Sequence, residues 1–430
     1  MRVLVLGGYG LIGAAVVRRL LADGHAVTGL GRSAARGRAM LPGATWIGAG
    51  LQTLTAPDAW HQHMQGIDAV VNASGVLQSG LGNNVSRAQQ EAIIALIAAC
   101  EASAVDVFVQ ISAPGATETS ATEFYRTTGA ADARLKSSSL RWTLFRPGLV
   151  LAPQAYGGTR LLRMLAAFPV VQPITLGDAQ IQTVALDDVA DAVAASVEGG
   201  FDGQDFDLIA ADAHSLEALT LNIRAWLGFS PPRAVIRAPG WAGAIVARMA
   251  DMAGWLGWKS ALRATAFTVL ADGVAGDGKS WKAASGRRMK SLQQTLDAIP
   301  ATLQERMFAR AALVFPLLVL TLGLFWIVSG LIGFWQDTAA IAVLPDWLPR
   351  WLAAGLVYGG GVVDIALGAA ILTRPLTRLA AMASAAVASC YAISGAFLTP
   401  ELWADPLGPM VKILPAIALA LAVAALAEER

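Results

Sequence analysis

The stretch MRVLVLGGYGLIG, residues 1–13, decides the first half of the fold. RVLVL is a short apolar run stopped by glycine, and from Leu11 to Ala22 apolar residues return at helical spacing, with Arg18 and Arg19 on the other side. Between strand and helix Gly7, Gly10 and Gly13 stand three apart. Bare backbone at such a turn lets a pyrophosphate approach amide N–H groups at the positive end of the helix. Gly7, Gly8, Gly10, Leu11, Ile12 and Gly13 are therefore the candidate phosphate-binding residues.

Working outward, the runs HAVTGLGRS, ATWIG, DAVVNASG, DVFVQISA and WTLFRPG alternate with helical stretches such as RAQQEAIIALIAACEAS and EFYRTTGAADARLKSS. Strands apolar on both faces and separated by helices predict an α/β domain, a Rossmann-type doubly wound parallel sheet. The end of the second strand selects the nucleotide. An acid there would hold the ribose 2′-OH of NAD, whereas Gly31 is followed by Arg32, which suits the 2′-phosphate of NADP. NADP is the expected cofactor, ahead of NAD.

A chain of 430 residues exceeds what one core serves, and 55% hydrophobic against 15% charged residues places part of it in lipid. A net charge of +1 excludes the electrostatic footprint of a nucleic-acid binder. Cys100 and Cys390 stand too far apart for a disulfide framework or a metal cluster, and no metal is expected. Gly7 and Gly8 interrupt the first apolar run too early for a secretory leader, so the front of the protein is expected in the cytoplasm. Four apolar segments follow one another at the rear: Ala311–Trp335, Trp351–Thr373, Leu379–Leu398 and Val411–Ala427. They predict an all-α four-helix transmembrane bundle. Arg306 and Arg310 precede the first segment and Arg374 and Arg378 fill the second loop, while Asp337, Asp346, Glu401 and Asp405 face Arg350 alone in the other two. That asymmetry predicts a multi-pass protein of the cytoplasmic (inner) membrane with both termini inside.

The glycine spacing, the NASG turn (Asn72, Ala73, Ser74, Gly75), the QIS strand end at Ser112, the RPG of Arg146–Gly148 and the VALDDVADAV of Val184–Val193 resemble the atypical and extended short-chain dehydrogenase/reductases and their epimerase/dehydratase relatives. The resemblance covers about the first 230 residues. It implies that Gly7–Gly13 hold the diphosphate, that Asn72–Gly75 pass beside the adenosine side, and that Pro147 and its successors run near the nicotinamide. It also implies a catalytic Ser with Tyr-x-x-x-Lys, in which the ammonium lowers the pKa of the phenol. Here the chain departs from the pattern. Ser112 is available to polarise a carbonyl or to serve as a structural hydroxyl, and Tyr125 is the candidate phenol, but Gly129 stands four residues on and the neighbouring register pairs Phe124 with Thr128. Arg126 points elsewhere on the helix and Lys136 lies three turns along it, so neither supplies the missing cation. Where relatives often carry an acid after the third strand, this chain has Gly50.

The boundaries expected are 1–235 for the nucleotide domain, 236–305 for an amphipathic connector on the membrane surface, and 306–430 for the bundle. The connector reading rests on RAPGWAGAIVARMADMAGWLGWK, which sets tryptophans, Ile245, Val246 and Met249 among Arg248, Asp251 and Lys259, and on the basic cluster Lys282, Arg287, Arg288 and Lys290. His214 reads as a turn residue before an N-cap at Ser215. The bundle, from Ala309 on, resembles a DoxX-like membrane domain through FWIVSGLIGF, GGGVVDIALGAAIL and the YAISGAFLTP stretch to the end. Some members of the wider group are linked to quinone-reducing membrane complexes, so the resemblance permits a quinone as acceptor. Asp364 is a carboxylate inside a span, costly unless paired; Lys412 is its expected partner, in either a functional or a register-fixing role.

Two function classes follow. One is a membrane-anchored NADP(H)-binding oxidoreductase reducing a quinone or another amphiphile. The other is an idle nucleotide-binding structural or regulatory module of a membrane complex or oligomer, similar to the Rossmann-type accessory subunit of respiratory complex I.

Overall fold

The computed structural model describes residues 1–75, 84–258, 268, 270–271 and 273–427. Their contacts divide the chain into two compact units, one of residues 1–251 with 260–306 and one of residues 252–259 with 307–430.

The first unit is built on a seven-stranded parallel sheet. Its strands are β1 (Arg2–Leu6), β2 (Ala26–Gly31), β3 (Thr45–Gly48), β4 (Ala69–Asn72), β5 (Val107–Ile111) and β6 (Arg141–Pro147), joined by a later edge strand, Gln204–Leu208. The spatial order runs β3, β2, β1, β4, β5, β6 and then that edge strand. Period-two alternation explains why the strands read as continuous apolar runs. Val3 and Val5, Ala69 and Val71, and Val107 and Val109 enter one buried layer with the helices Leu11–Ala22 and Leu186–Val197. Leu4 and Leu6, Val70 and Phe108 enter the opposite layer with the helix Ala92–Glu101 and Trp60.

Beside the sheet lies a smaller lobe. Strands Leu149–Leu151, Gln180–Ala185 and Ala213–Ser215 form one short sheet, and Val171–Ile174 pairs in parallel with Ala234–Arg237. The helix Gly157–Ala166 also belongs to this lobe; beyond it the chain turns and enters a strand, because Pro169 lacks the N–H that a longer helix needs. Ser215 caps the helix Leu216–Trp226 by accepting the N–H of Ala218 at 3.1 Å. Trp281, next to the basic cluster, is buried against Phe145, Phe201 and Phe206. Lys290 of the same basic stretch pairs with Asp188. Lys259 lies outside the described residues.

The second unit is helical. Leu303–Trp335, Arg350–Leu372 and Thr377–Leu398 are long and apolar enough to cross a membrane. The first two approach closely at paired glycines: a Cβ on Gly330 would lie 2.5 Å from the Gly361 carbonyl oxygen, and one on Gly368 would lie 2.6 Å from that of Gly323. Gly359 faces open space, so of the three consecutive glycines it is Gly361 that serves the contact with the first helix. Ile413–Leu426 packs on the third helix and supplies Ala420, Val423 and Ala424 to the shared core. It has 14 residues, roughly 21 Å of helix, short of the roughly 30 Å hydrocarbon core. Three of the four expected segments are thus of spanning length, and the fourth is the shorter apolar helix Ile413–Leu426, which packs with them as the fourth helix of the bundle.

Asp364 is buried in this unit, but not with Lys412. Its carboxylate accepts the Ser329 hydroxyl at 3.2 Å and the Tyr391 hydroxyl at 3.0 Å. Lys412 stands at the N-terminus of the shorter helix, and among the described residues it forms no ion pair with Asp364. Hydroxyls on the first and third helices satisfy the acid in place of an ammonium.

Candidate functional site

The order of the sheet reverses between β1 and β4, the switch point at whose strand carboxyl ends doubly wound sheets bind their ligands. Both glycine-bearing turns end at this point. Gly7 adopts φ +66°, and a Cβ on it would meet the Ala73 carbonyl oxygen at 2.8 Å. Gly13 is more constrained: its Cβ would lie 2.2 Å from the Gly7 carbonyl oxygen. The Gly10 N–H closes the turn on that same oxygen at 2.7 Å, and Ala14 N–H bonds back to Gly10 at 2.9 Å. The helix start has no side-chain cap and no acid in its first turn, so the N–H groups of Leu11, Ile12 and Gly13 remain for a ligand. A cradle that any side chain would fill, with uncapped donors at a helix N-terminus, fits a dinucleotide pyrophosphate.

Around this turn the residues expected at the site take distinct positions. Asn72 is buried at the end of β4; its amide donates to Gln110 Oε1 at 2.9 Å while its Oδ1 accepts the Ser74 N–H at 3.1 Å. Ala73, Ser74 and Gly75 thus follow a fixed exit from the strand. Gly8 backs onto Gly29 of β2, where a Cβ would approach to 3.1 Å. Arg32 follows β2 and is exposed, and among the described residues it has no ion-pair partner. Tyr9, which sequence reasoning did not single out, lies over Gly31; its hydroxyl accepts the Ser33 N–H at 3.1 Å, and Arg36 stands 5.9 Å from its ring. Pro147 is buried at the end of β6.

The catalytic candidates are arranged differently from the family pattern. Ser112 follows β5 and is buried, and its hydroxyl donates to Asp132, so it is committed to the interior. Burial pushes the Asp132 carboxyl up to about 6, against the opposing pull of that hydrogen bond and of Arg146 and Lys136. Asp132 sits seven residues beyond Tyr125 on the helix Glu123–Lys136, and no motif in the sequence announces the pairing. Gly129 is not merely a missing lysine. A Cβ there would lie 2.3 Å from the Thr117 carbonyl carbon and 2.5 Å from its Cα, so backbone fills the place a lysine would need. Lys136 pairs with Asp205, and Arg126 donates to the carbonyls of Ser120 at 3.0 Å and Ala121 at 3.2 Å. No cation is brought to the phenol from either.

Tyr125 nevertheless borders a cleft of about 350 Å³. Pro114, Gly115, Ser120, Ala121 and Thr122 line it with Tyr125, and Gly273 and Ala275 complete it. None of these described lining residues is charged. His214 is bound to Asp212 at 2.7 Å and does not line it.

Comparison with known proteins agrees with this geometry. A family profile described as NAD(P)H-binding matches residues 7–199, and a second, the DoxX-like family, matches residues 323–421. No curated protein matches the chain. Among solved structures, the Bordetella bronchiseptica enzyme WbmG in complex with NAD superposes with a TM-score of 0.53 at 18% identity, over 70% of this chain and 92% of its own. UDP-glucose 4-epimerase from Thermotoga maritima with UDP-glucose gives 0.53 at 15%, over 70% and 97%. The dTDP-glucose 4,6-dehydratase of Bacillus anthracis with NAD gives 0.53 at 13%, over 70% and 95%. At these identities the likeness is one of fold.

Sheet order, glycine cradle and profile together define the first unit as an NAD(P)-binding Rossmann domain with epimerase/dehydratase-like structural neighbours. The chain joins that domain to a DoxX-like membrane domain.

Proposed function

We propose that this protein is a membrane-anchored NADP(H)-binding oxidoreductase whose acceptor is a quinone or another neutral amphiphile. The observation that carries the reading is the uncharged cleft beside Tyr125, on a chain that also has membrane-crossing helices. A sugar nucleotide such as the UDP-glucose held by the T. maritima epimerase presents a diphosphate, which calls for cations that the described lining residues do not offer. Arg32, exposed beyond β2, favours the 2′-phosphate and hence NADP over NAD. When bound, the nicotinamide supplies the hydride. The chain's own part is to hold the diphosphate on the amides of Leu11–Gly13, to fix the adenosine side with Asn72–Gly75, to run Pro147 beside the nicotinamide and to exclude water. Tyr125 borders the cleft from a helix that carries Gly129 where the family has its lysine, so an acceptor that does not depend on the Tyr-x-x-x-Lys pair for its proton suits the site.

Arg306, Arg310, Arg374 and Arg378 support a cytoplasmic Rossmann domain and cytoplasmic termini in the inner membrane. A second reading draws on the backbone that fills the lysine position at Gly129. On that reading the domain is an occupied but idle module that stabilises or regulates an oligomer or membrane complex. NADPH oxidation by the detergent-solubilised full chain with a short-chain quinone separates the two. Turnover that Arg32→Glu and Gly10→Asp abolish supports the oxidoreductase; tight retention of the nucleotide with no turnover across acceptors supports the module.

A further inference from the structure

The helix Gly240–Trp255 presents its bulky apolar residues outward and its small ones inward. Trp241, Ile245, Met249, Met252 and Trp255 are between 50% and 82% exposed, whereas Gly243 and Ala247 are buried. At 100° per residue these five side chains fall within a stripe of roughly 120°, and Gly243 and Ala247 lie on the far side. A helix on a water-facing surface has the opposite pattern.

What covers the stripe is indicated by where the helix ends. Just past its last turn the Leu256 carbonyl accepts the Arg374 N–H at 2.8 Å, and the Trp258 indole donates to the Leu372 carbonyl at 2.7 Å. The Trp258 ring lies 6.0 Å from that of Phe315 and 5.4 Å from the Arg374 guanidinium. Leu372 is the last residue of a membrane-crossing helix, and the next such helix begins at Thr377. The end of Gly240–Trp255 is thus pinned to the turn between two spans, at the depth where hydrocarbon gives way to headgroups. Tryptophans at both ends of the stripe have the amphipathic rings suited to that depth, and Arg248 has the reach to set its charge among phosphates.

We propose that Gly240–Trp255 is an interfacial helix whose stripe of Trp241, Ile245, Met249, Met252 and Trp255 is buried in the lipid bilayer. The inference does not depend on whether the Rossmann domain is catalytic.

The test uses the full chain in vesicles of phosphatidylethanolamine and phosphatidylglycerol, with Cys100→Ala and Cys390→Ala as background. Single nitroxide labels are placed at Ile245→Cys, Met249→Cys and Met252→Cys, with Met40→Cys, exposed beside the nucleotide fold, for comparison. Collision with lipid-soluble oxygen and water-soluble nickel chelate is read by power saturation. The stripe labels are expected to gain oxygen collisions and lose nickel collisions relative to position 40. Nickel access equal to that at position 40 would overturn the proposal, as would labels shielded from both reagents with spin–spin broadening, which would mean that a second copy covers the stripe. Retention of the labelled proteins in the vesicle fraction, with a circular-dichroism spectrum like that of the unlabelled chain, guards against misfolding.

Discussion

Gly13→Ala strikes the cradle at its tightest point. The new methyl group would lie 2.2 Å from the Gly7 carbonyl oxygen, about 1 Å inside ordinary contact. Backbone must move to admit it, because the obstructing atom is a carbonyl and not the end of a flexible side chain. That carbonyl also accepts the Gly10 N–H, so the displacement passes into the amides expected to face the pyrophosphate. Overpacking of this kind costs about 1–3 kcal/mol. Charged to binding, it corresponds to a roughly 5- to 140-fold rise in Kd for NADPH. The assay is a fluorescence titration of NADPH into the solubilised full chain, paired with thermal melts in the absence and presence of nucleotide. Gly50→Ala is the matched control, since that Cβ would meet nothing within 4 Å. A Gly13→Ala protein that binds NADPH as tightly as the parent would refute the cradle argument, as would an equal loss in Gly50→Ala.

Other substitutions probe the remaining parts of the site. Arg32→Glu is expected to weaken NADPH roughly ten- to a hundredfold while leaving NADH nearly unchanged, read as paired titrations of the two nucleotides. Gly129→Lys restores the family's residue but not its geometry; with Thr117 backbone 2.3 Å from the Cβ, it should lower the melting temperature by several degrees and yield no alcohol dehydrogenation. Asp132 has a folded pKa of about 6, raised above its unfolded value, so the folded state holds the extra proton between about pH 4 and 6. Its contribution is most favourable below pH 4 and is lost as pH rises through 6, by about 3 kcal/mol in total. Asp132→Asn should therefore gain stability relative to the parent as pH climbs from 4 to 7, followed as melting temperature; parallel curves for the two proteins would contradict the assignment.

The sheet was legible because local signals agreed. RVLVL, the glycine beat and the periodic run Leu11–Ala22 each specify their own element, and the helix spans those same residues. The bundle was legible from hydropathy over long windows. Harder to read were contacts that depend on how elements rotate against one another. Asp364 has Ser329 and Tyr391 as partners because of the facing of three helices, which a run of apolar residues does not encode. Asp132 meets Ser112 across twenty residues and two elements, with no fixed spacing to reveal it. Trp281 was not legible either: it stands beside basic residues in the sequence, yet its indole is buried among three phenylalanines, a packing that local sequence does not encode. Gly129 showed that the lysine was missing, whereas only the packing showed that its place was taken.

The most direct measurement is native mass spectrometry of the full chain released from detergent, before and after incubation with equimolar NADPH and NADH. One NADP(H) per chain, at lower occupancy in Gly13→Ala, is the result expected. A parent chain that carries no pyridine dinucleotide under either condition, or that takes NADH in preference, would contradict it.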